Sequence, residues 1–237
     1  MAAGEGGASS LRGPPARAEY ERAWNTKRIG VATAASVLGP WQVQESPILQ
    51  PRPGEWDAAI TSNPAAWIHL NGSVVLLFKS IRAAYPERNH ARPRPAFHLG
   101  AAFAPSLAVP FRRLSSEPVL QWGGAPFAAE DPYLWFCGGR YHLLFKCMQS
   151  FAPSGLRAGQ LAYTSSPDLW RWSPPSPALN RTVTWVSPSG AALVAQTVQR
   201  LERPQVLLSG AGRPAHVFCA VALGGQAKSI ALRAARS

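Results

Sequence analysis

Residues 63–79, NPAAWIHLNGSVVLLFK, residues 131–146, DPYLWFCGGRYHLLFK, and residues 203–219, RPQVLLSGAGRPAHVFC, are three versions of one pattern. Each opens on a polar residue followed by proline. Each then runs through a short apolar segment, turns at glycine and returns through a second apolar segment. Pro64, Pro132 and Pro204 stand 68 and 72 residues apart. Self-similarity at a fixed period marks an array of similar β-units. The polar residues beside the prolines then occupy equivalent places, and chemistry is to be sought there.

The returning segments read as β-hairpins. Ala66–Leu70 and Val74–Phe78 flank Asn71-Gly72, a strong two-residue turn signal. Tyr133–Cys137 and Tyr141–Phe145 flank Gly138-Gly139, and Gln205–Leu208 and Ala215–Phe218 flank a Gly-containing turn. These strands are apolar on both faces, as strands between stacked sheets must be. Each unit also contains a small-residue strand and a turn, as in Phe97–Ala102 leading to Val109-Pro110-Phe111. About four strands per unit follow, and four-stranded units repeated around an axis make a β-propeller. The expected fold is therefore all-β, with about three to four blades present and residues 27–237 forming a partial propeller domain. Residues 27–41 read as the outer part of a blade and residues 224–237 as the opening strand of another. The segment over 1–26 reads as a disordered tail without the apolar core of a secretory leader. Location is open, with secretion an option for a full-length form.

Composition agrees with short strands joined by turns. The chain has 237 residues, 46% of them hydrophobic, with 23 Pro and 20 Gly, too many for a helical protein. The net charge is +12, but the arginines are scattered, without a run of five or a basic helix, so a nucleic-acid partner is not expected. No stretch of about 18 apolar residues exists, so no helical membrane span is expected. Cys137, Cys147 and Cys219 lack metal-ligand spacing. Cys137 and Cys147 either face each other across a hairpin or are half-buried free thiols. A monomer is expected.

The candidate chemistry follows from equivalence. Asn63, Asp131 with Glu130, and Glu202 with Arg203 converge at one end of the axis if the units share one geometry. Two carboxylates at such a pocket are what glycoside hydrolysis uses, one to protonate the leaving oxygen and one to activate water or stabilise a cation. Crowding also raises one carboxyl pKa, which suits an acid. Trp122, on a loop before Glu130, is a candidate platform for an apolar sugar face. His142 fits either the axis or packing between sheets. An Asp-Pro before a strand is also an ordinary turn device, and Glu202 also fits a surface pair with Arg200 or Arg203.

The order of these units resembles the five-bladed β-propeller glycoside hydrolases of family 43 and its relatives. Supporting pieces are Glu130-Asp131-Pro132-Tyr133-Leu134-Trp135, Gly139-Arg140-Tyr141-His142, and Ser166-Pro167-Asp168-Leu169 with Trp172. The resemblance covers about residues 27–232. It implies an arabinanase- or xylosidase-like action on a polysaccharide or oligosaccharide. Asp131 matches the Asp that tunes pKa and orients substrate, and Glu202 matches the general acid. Asn63 stands where an Asp is expected, and asparagine cannot take a proton from water. Arg203 stands where the family commonly has Gly, and it would narrow the pocket or pair with Glu202. An axial calcium is allowed by the resemblance alone, and no metal-ligand set is read from these residues. A catalytically degenerate propeller that binds carbohydrate or protein is the alternative.

Overall fold

The computed structural model describes residues 17–84, 96–187 and 189–233. Helix α1 (Arg17–Asn25) leads into a ribbon of β1 (Ala32–Thr33) and β2 (Gln42–Val43). The first sheet is an antiparallel meander of β3 (Ser62–Ile68), β4 (Val74–Ser80), β5 (His98–Ala104) and β6 (Arg112–Arg113). A short ribbon, β7 (Gln121–Trp122) with β8 (Ala125–Pro126), precedes the second sheet. That sheet is β9 (Ala129–Cys137), β10 (Arg140–Cys147), β11 (Leu161–Ser166) and β12 (Ser176–Leu179). A hairpin of β13 (Thr182–Val186) and β14 (Ala192–Thr197) then leads to the third sheet, β15 (Arg200–Leu208), β16 (Pro214–Leu223) and β17 (Gln226–Arg233). The fold is all-β apart from α1 and one 3₁₀ turn among the described residues. Among the described residues no helix is long and apolar enough to cross a membrane.

Packing follows the apolar runs. β4 is buried along its whole length, and its faces enter two different clusters. Val75 and Leu77 join Leu134, Leu143 and Phe145 between the first and second sheets. Leu76 and Phe78 face Ile29 and Leu49 on the other side. Trp135, Leu144, Val206 and Val221 fill the space between the second and third sheets. The opening strands β3, β9 and β15 run side by side, which brings the three landmarks together.

Several expectations change. The landmark prolines lie inside the strands, not before them. In each sheet the ladder shifts register across the dipeptide: Ser62 pairs with Lys79 and Ala65 with Leu77, Glu130 with Lys146 and Tyr133 with Leu144, Glu202 with Ala220 and Gln205 with Phe218. Two residues thus oppose one, a β-bulge, and a bulge tolerates proline because its N–H has no ladder partner. Residues 226–233 are the third strand of the third sheet, not the start of a new unit, because they pair along β16 from His216 to Leu223. Residues 17–25 of the expected tail are helical, and Trp24 packs with Ile60 and Ile81; the rest of that tail, residues 1–16, lies outside the described residues. All three cysteines are free. The Ser166–Trp172 segment is a structural turn: Asp168 accepts the Trp170 and Arg171 N–H groups, and the Trp172 indole donates to the Leu169 carbonyl.

Candidate functional site

The three bulges hold their first residue in a strained, left-handed conformation. Asn63, Asp131 and Arg203 have φ of 48°, 52° and 53°. Such a backbone costs a non-glycine residue roughly 1–2 kcal/mol, and proline normally pushes the residue before it to extended angles. The strain therefore recurs at the same point of three sheets, and recurrent strain of this kind clusters at functional sites. Asparagine and aspartate tolerate the conformation best, arginine less well.

The strain delivers side chains to one place. Asn63 Nδ2 donates to Asp131 Oδ1 in a short hydrogen bond. The Arg203 backbone N–H donates to Asp131 Oδ2 at 3.2 Å. Asp131 thus ties the first sheet to the third, and it is only 6% exposed. Burial, with the adjacent Glu130 charge, holds its carboxyl above the usual range against the pull of Lys79, Arg203 and Lys146.

Two lysines complete the cluster. Lys79 Nζ donates to Glu130 Oε2 at 3.1 Å, and Lys146 Nζ donates to Glu130 Oε1 at 3.0 Å and to Glu202 Oε1 at 2.5 Å. Glu130 Oε1 and Glu202 Oε1 share that nitrogen, so they are at most about 5.5 Å apart. Burial alone would raise the Glu130 carboxyl, but Lys79 and Lys146 outweigh it and hold it below its ordinary value. Burial would lower Lys146, but its hydrogen bond to Glu202 and the Glu130 charge hold it above its ordinary value. Lys79 is also packed over the Phe97 ring at 4.7 Å, and Lys27 lies over Trp24 at the same distance. Burial first, then Lys79 and Arg203, depress Lys27. Among the described residues no group of three His, Cys, Asp or Glu side chains is arranged to hold a metal ion.

The sequence candidates divide cleanly. Asn63, Glu130, Asp131, Glu202 and the Arg203 backbone meet. Glu202 is paired by Lys146 rather than by Arg203 or Arg200. Trp122 is elsewhere: its ring packs edge-on against Phe127 at 4.9 Å and its indole N–H reaches the Trp172 carbonyl. His142 is also elsewhere, stacked on Trp135 at 5.1 Å with Nδ1 against the Tyr163 hydroxyl at 2.7 Å. Sequence reasoning misses Lys79 and Lys146. Their signal is the Leu-Leu-Phe-Lys that ends residues 63–79 and 131–146, where one cation closes an otherwise apolar strand.

No family model matches the sequence, and no curated protein matches it. Solved structures do. BT0996, solved in an RGII complex, superposes with a TM-score of 0.53 at 14% identity, covering 85% of this protein and 55% of BT0996. A structure described as a glycoside hydrolase gives 0.53 at 12% identity, with 85% and 55% covered. The beta-1,2-mannobiose phosphorylase from Listeria innocua, solved with beta-1,2-mannobiose, gives 0.50 at 11% identity, with 81% and 44% covered. The protein spans about half the length of these structures. At such identities the likeness is one of fold, and that fold is shared with solved glycoside hydrolases.

Proposed function

We propose that residues 27–237 form part of a five-bladed-type β-propeller of the family 43-like kind, monomeric, which binds a polysaccharide or oligosaccharide at the Asn63–Asp131–Glu202 cluster. The observation that carries this reading is the convergence of three equivalent strained bulges on one group of carboxylates. Glu202 is more open than Glu130, with its side chain 25% exposed against 14%. In this reading Glu202 accepts the hydrogen bond of a sugar hydroxyl, while Asp131 fixes the frame by holding Asn63 and the Arg203 N–H.

Binding without turnover fits the charges. A general acid must be free to reach the leaving oxygen, and Glu202 Oε1 is instead held by the Lys146 ammonium at 2.5 Å. A general base must accept a proton, and Asn63 cannot. One observation favours hydrolysis as a second reading. The Glu130 and Glu202 oxygens are close enough for the short carboxyl separation, about 5–5.5 Å, that retaining glycosidases use.

A glycan array followed by an aryl-glycoside screen separates the two. The expected outcome is glycan binding that Glu202→Ala weakens about tenfold or more, with no aryl-glycoside turnover. Turnover that disappears in Glu202→Gln would establish the hydrolase reading instead. Glycan binding indifferent to Glu202→Ala would remove the cluster from the function.

A further inference from the structure

We propose that the wedge between the second and third sheets is a binding site for a long-chain carboxylate, separate from the carboxylate–lysine cluster. The Tyr133 hydroxyl on β9 donates to the Val206 carbonyl on β15 at 2.7 Å and pins the inner strands together. Beyond that bond a groove of about 920 Å³ opens, with β12 in one wall and β16 and β17 in the other. That volume is in the range of small-molecule sites, roughly 300–1,000 Å³. Its body is lined by Trp135, Leu144, Leu179, Val206, Val217 and Leu232.

Charge selects the ligand. Arg140, Arg213 and Arg233 line the groove, and among the described residues no aspartate or glutamate does. Among the described residues none of the three arginines has an ion-pair partner; Arg140 reaches only the Ser165 hydroxyl, at 3.3 Å. All three belong to one end. The turn that carries Arg140 touches the turn that carries Arg213, since a Cβ on Gly212 would lie 2.8 Å from Cys137 Sγ. Arg233 pairs across to His216 on β16, two residues from Pro214. The groove is thus cationic at one end and apolar along its length.

The wall also excludes a sugar. Its imidazole and phenol are already engaged: His142 Nδ1 meets the Tyr163 hydroxyl at 2.7 Å, and Nε2 meets the Cys137 carbonyl at 3.1 Å. A polyhydroxylated ligand would lose water there and find little to replace it, whereas an alkyl chain gains from burial. A carboxylate headgroup would take charge-assisted, bidentate bonds from the arginines.

The test is calorimetric titration of the folded full chain with laurate below its micelle concentration. Saturable one-to-one binding is expected. Arg140→Ala with Arg213→Ala, both at exposed turns, should weaken it about tenfold or more, and dodecanol should bind at least tenfold more weakly than laurate. Val217→Phe, which fills the groove, should abolish binding, with thermal unfolding as the check that it folds. No saturable binding, equal affinity in the double arginine variant, or preference for a uronic-acid oligosaccharide over laurate would each overturn the proposal.

Discussion

Lys146 is the residue whose removal is most informative. It is the shared cation of Glu130 and Glu202, at 3.0 and 2.5 Å, and the three side chains are 12%, 14% and 25% exposed. Losing one partner of a fully buried pair costs roughly 3–5 kcal/mol, whereas an exposed pair is worth about 0–1 kcal/mol. Lys79 keeps Glu130 paired, so Lys146→Met should cost about 2 kcal/mol at neutral pH, or about 4–8 °C in Tm for a chain of this size. The pH dependence has a definite sign. The Glu130 carboxyl is lowered in the fold, so its contribution is present above its unfolded value and is lost as pH falls through the folded value. The Lys146 ammonium is raised, so its contribution is present below its unfolded value and is lost only as pH rises through the folded one. The deficit of the variant should be full near pH 7 and shrink as pH falls below about 5 and the Glu130 carboxyl takes up its proton. Urea unfolding of both proteins across that range reads it directly. A deficit of the same size in acid, or none at pH 7, would refute the ion-pair reasoning.

Two other substitutions probe the frame around the site. Asn63→Asp keeps a residue that tolerates φ near 48° but sets a carboxylate against Asp131, whose own carboxyl is already raised. Both carboxyls then titrate above their unfolded values. Unfolding should show a loss of about 1–3 kcal/mol that grows as pH rises through about 5 and vanishes in acid; a loss independent of pH would exclude charge repulsion as its cause. Gly100 faces Phe78 across β4 and β5, and a Cβ there would overlap the fully buried Phe78 ring. Gly100→Ala should cost about 1–3 kcal/mol in urea unfolding, and unchanged stability would contradict that packing.

The repeated proline is legible because the bulge imposes a local rule: a dipeptide that leaves the ladder accepts proline at no hydrogen-bond cost. That rule points to Asn63, Asp131 and the neighbourhood of Glu202. The lysines are hidden for a physical reason. Lys79 reaches Glu130 from another sheet, and Lys146 faces Glu130 only because of the shifted register across β9 and β10. Register depends on which face is buried, and no single strand states it. Helix α1 is hidden differently. A nine-residue segment such as Arg17–Asn25 is marginal as an isolated helix, and burial of Trp24 against Ile60 and Ile81 decides its state. Trp122 and His142 show the reverse error. Aromatic and imidazole side chains announce binding in a sequence, but in this fold both are consumed by ring packing and internal hydrogen bonds.

The most direct measurement is calorimetric titration of a glycan chosen from the array against three proteins: the unmodified chain, Asp131→Asn, and Arg140→Ala with Arg213→Ala. Asp131→Asn keeps the shape but exchanges a carboxylate acceptor for an amide facing the Asn63 amide and the Arg203 N–H. The expected result is affinity reduced about tenfold or more in Asp131→Asn and unchanged in the arginine variant. Equal affinity in the first two proteins, or loss confined to the arginine variant, would contradict the placement of the glycan at the repeated bulge.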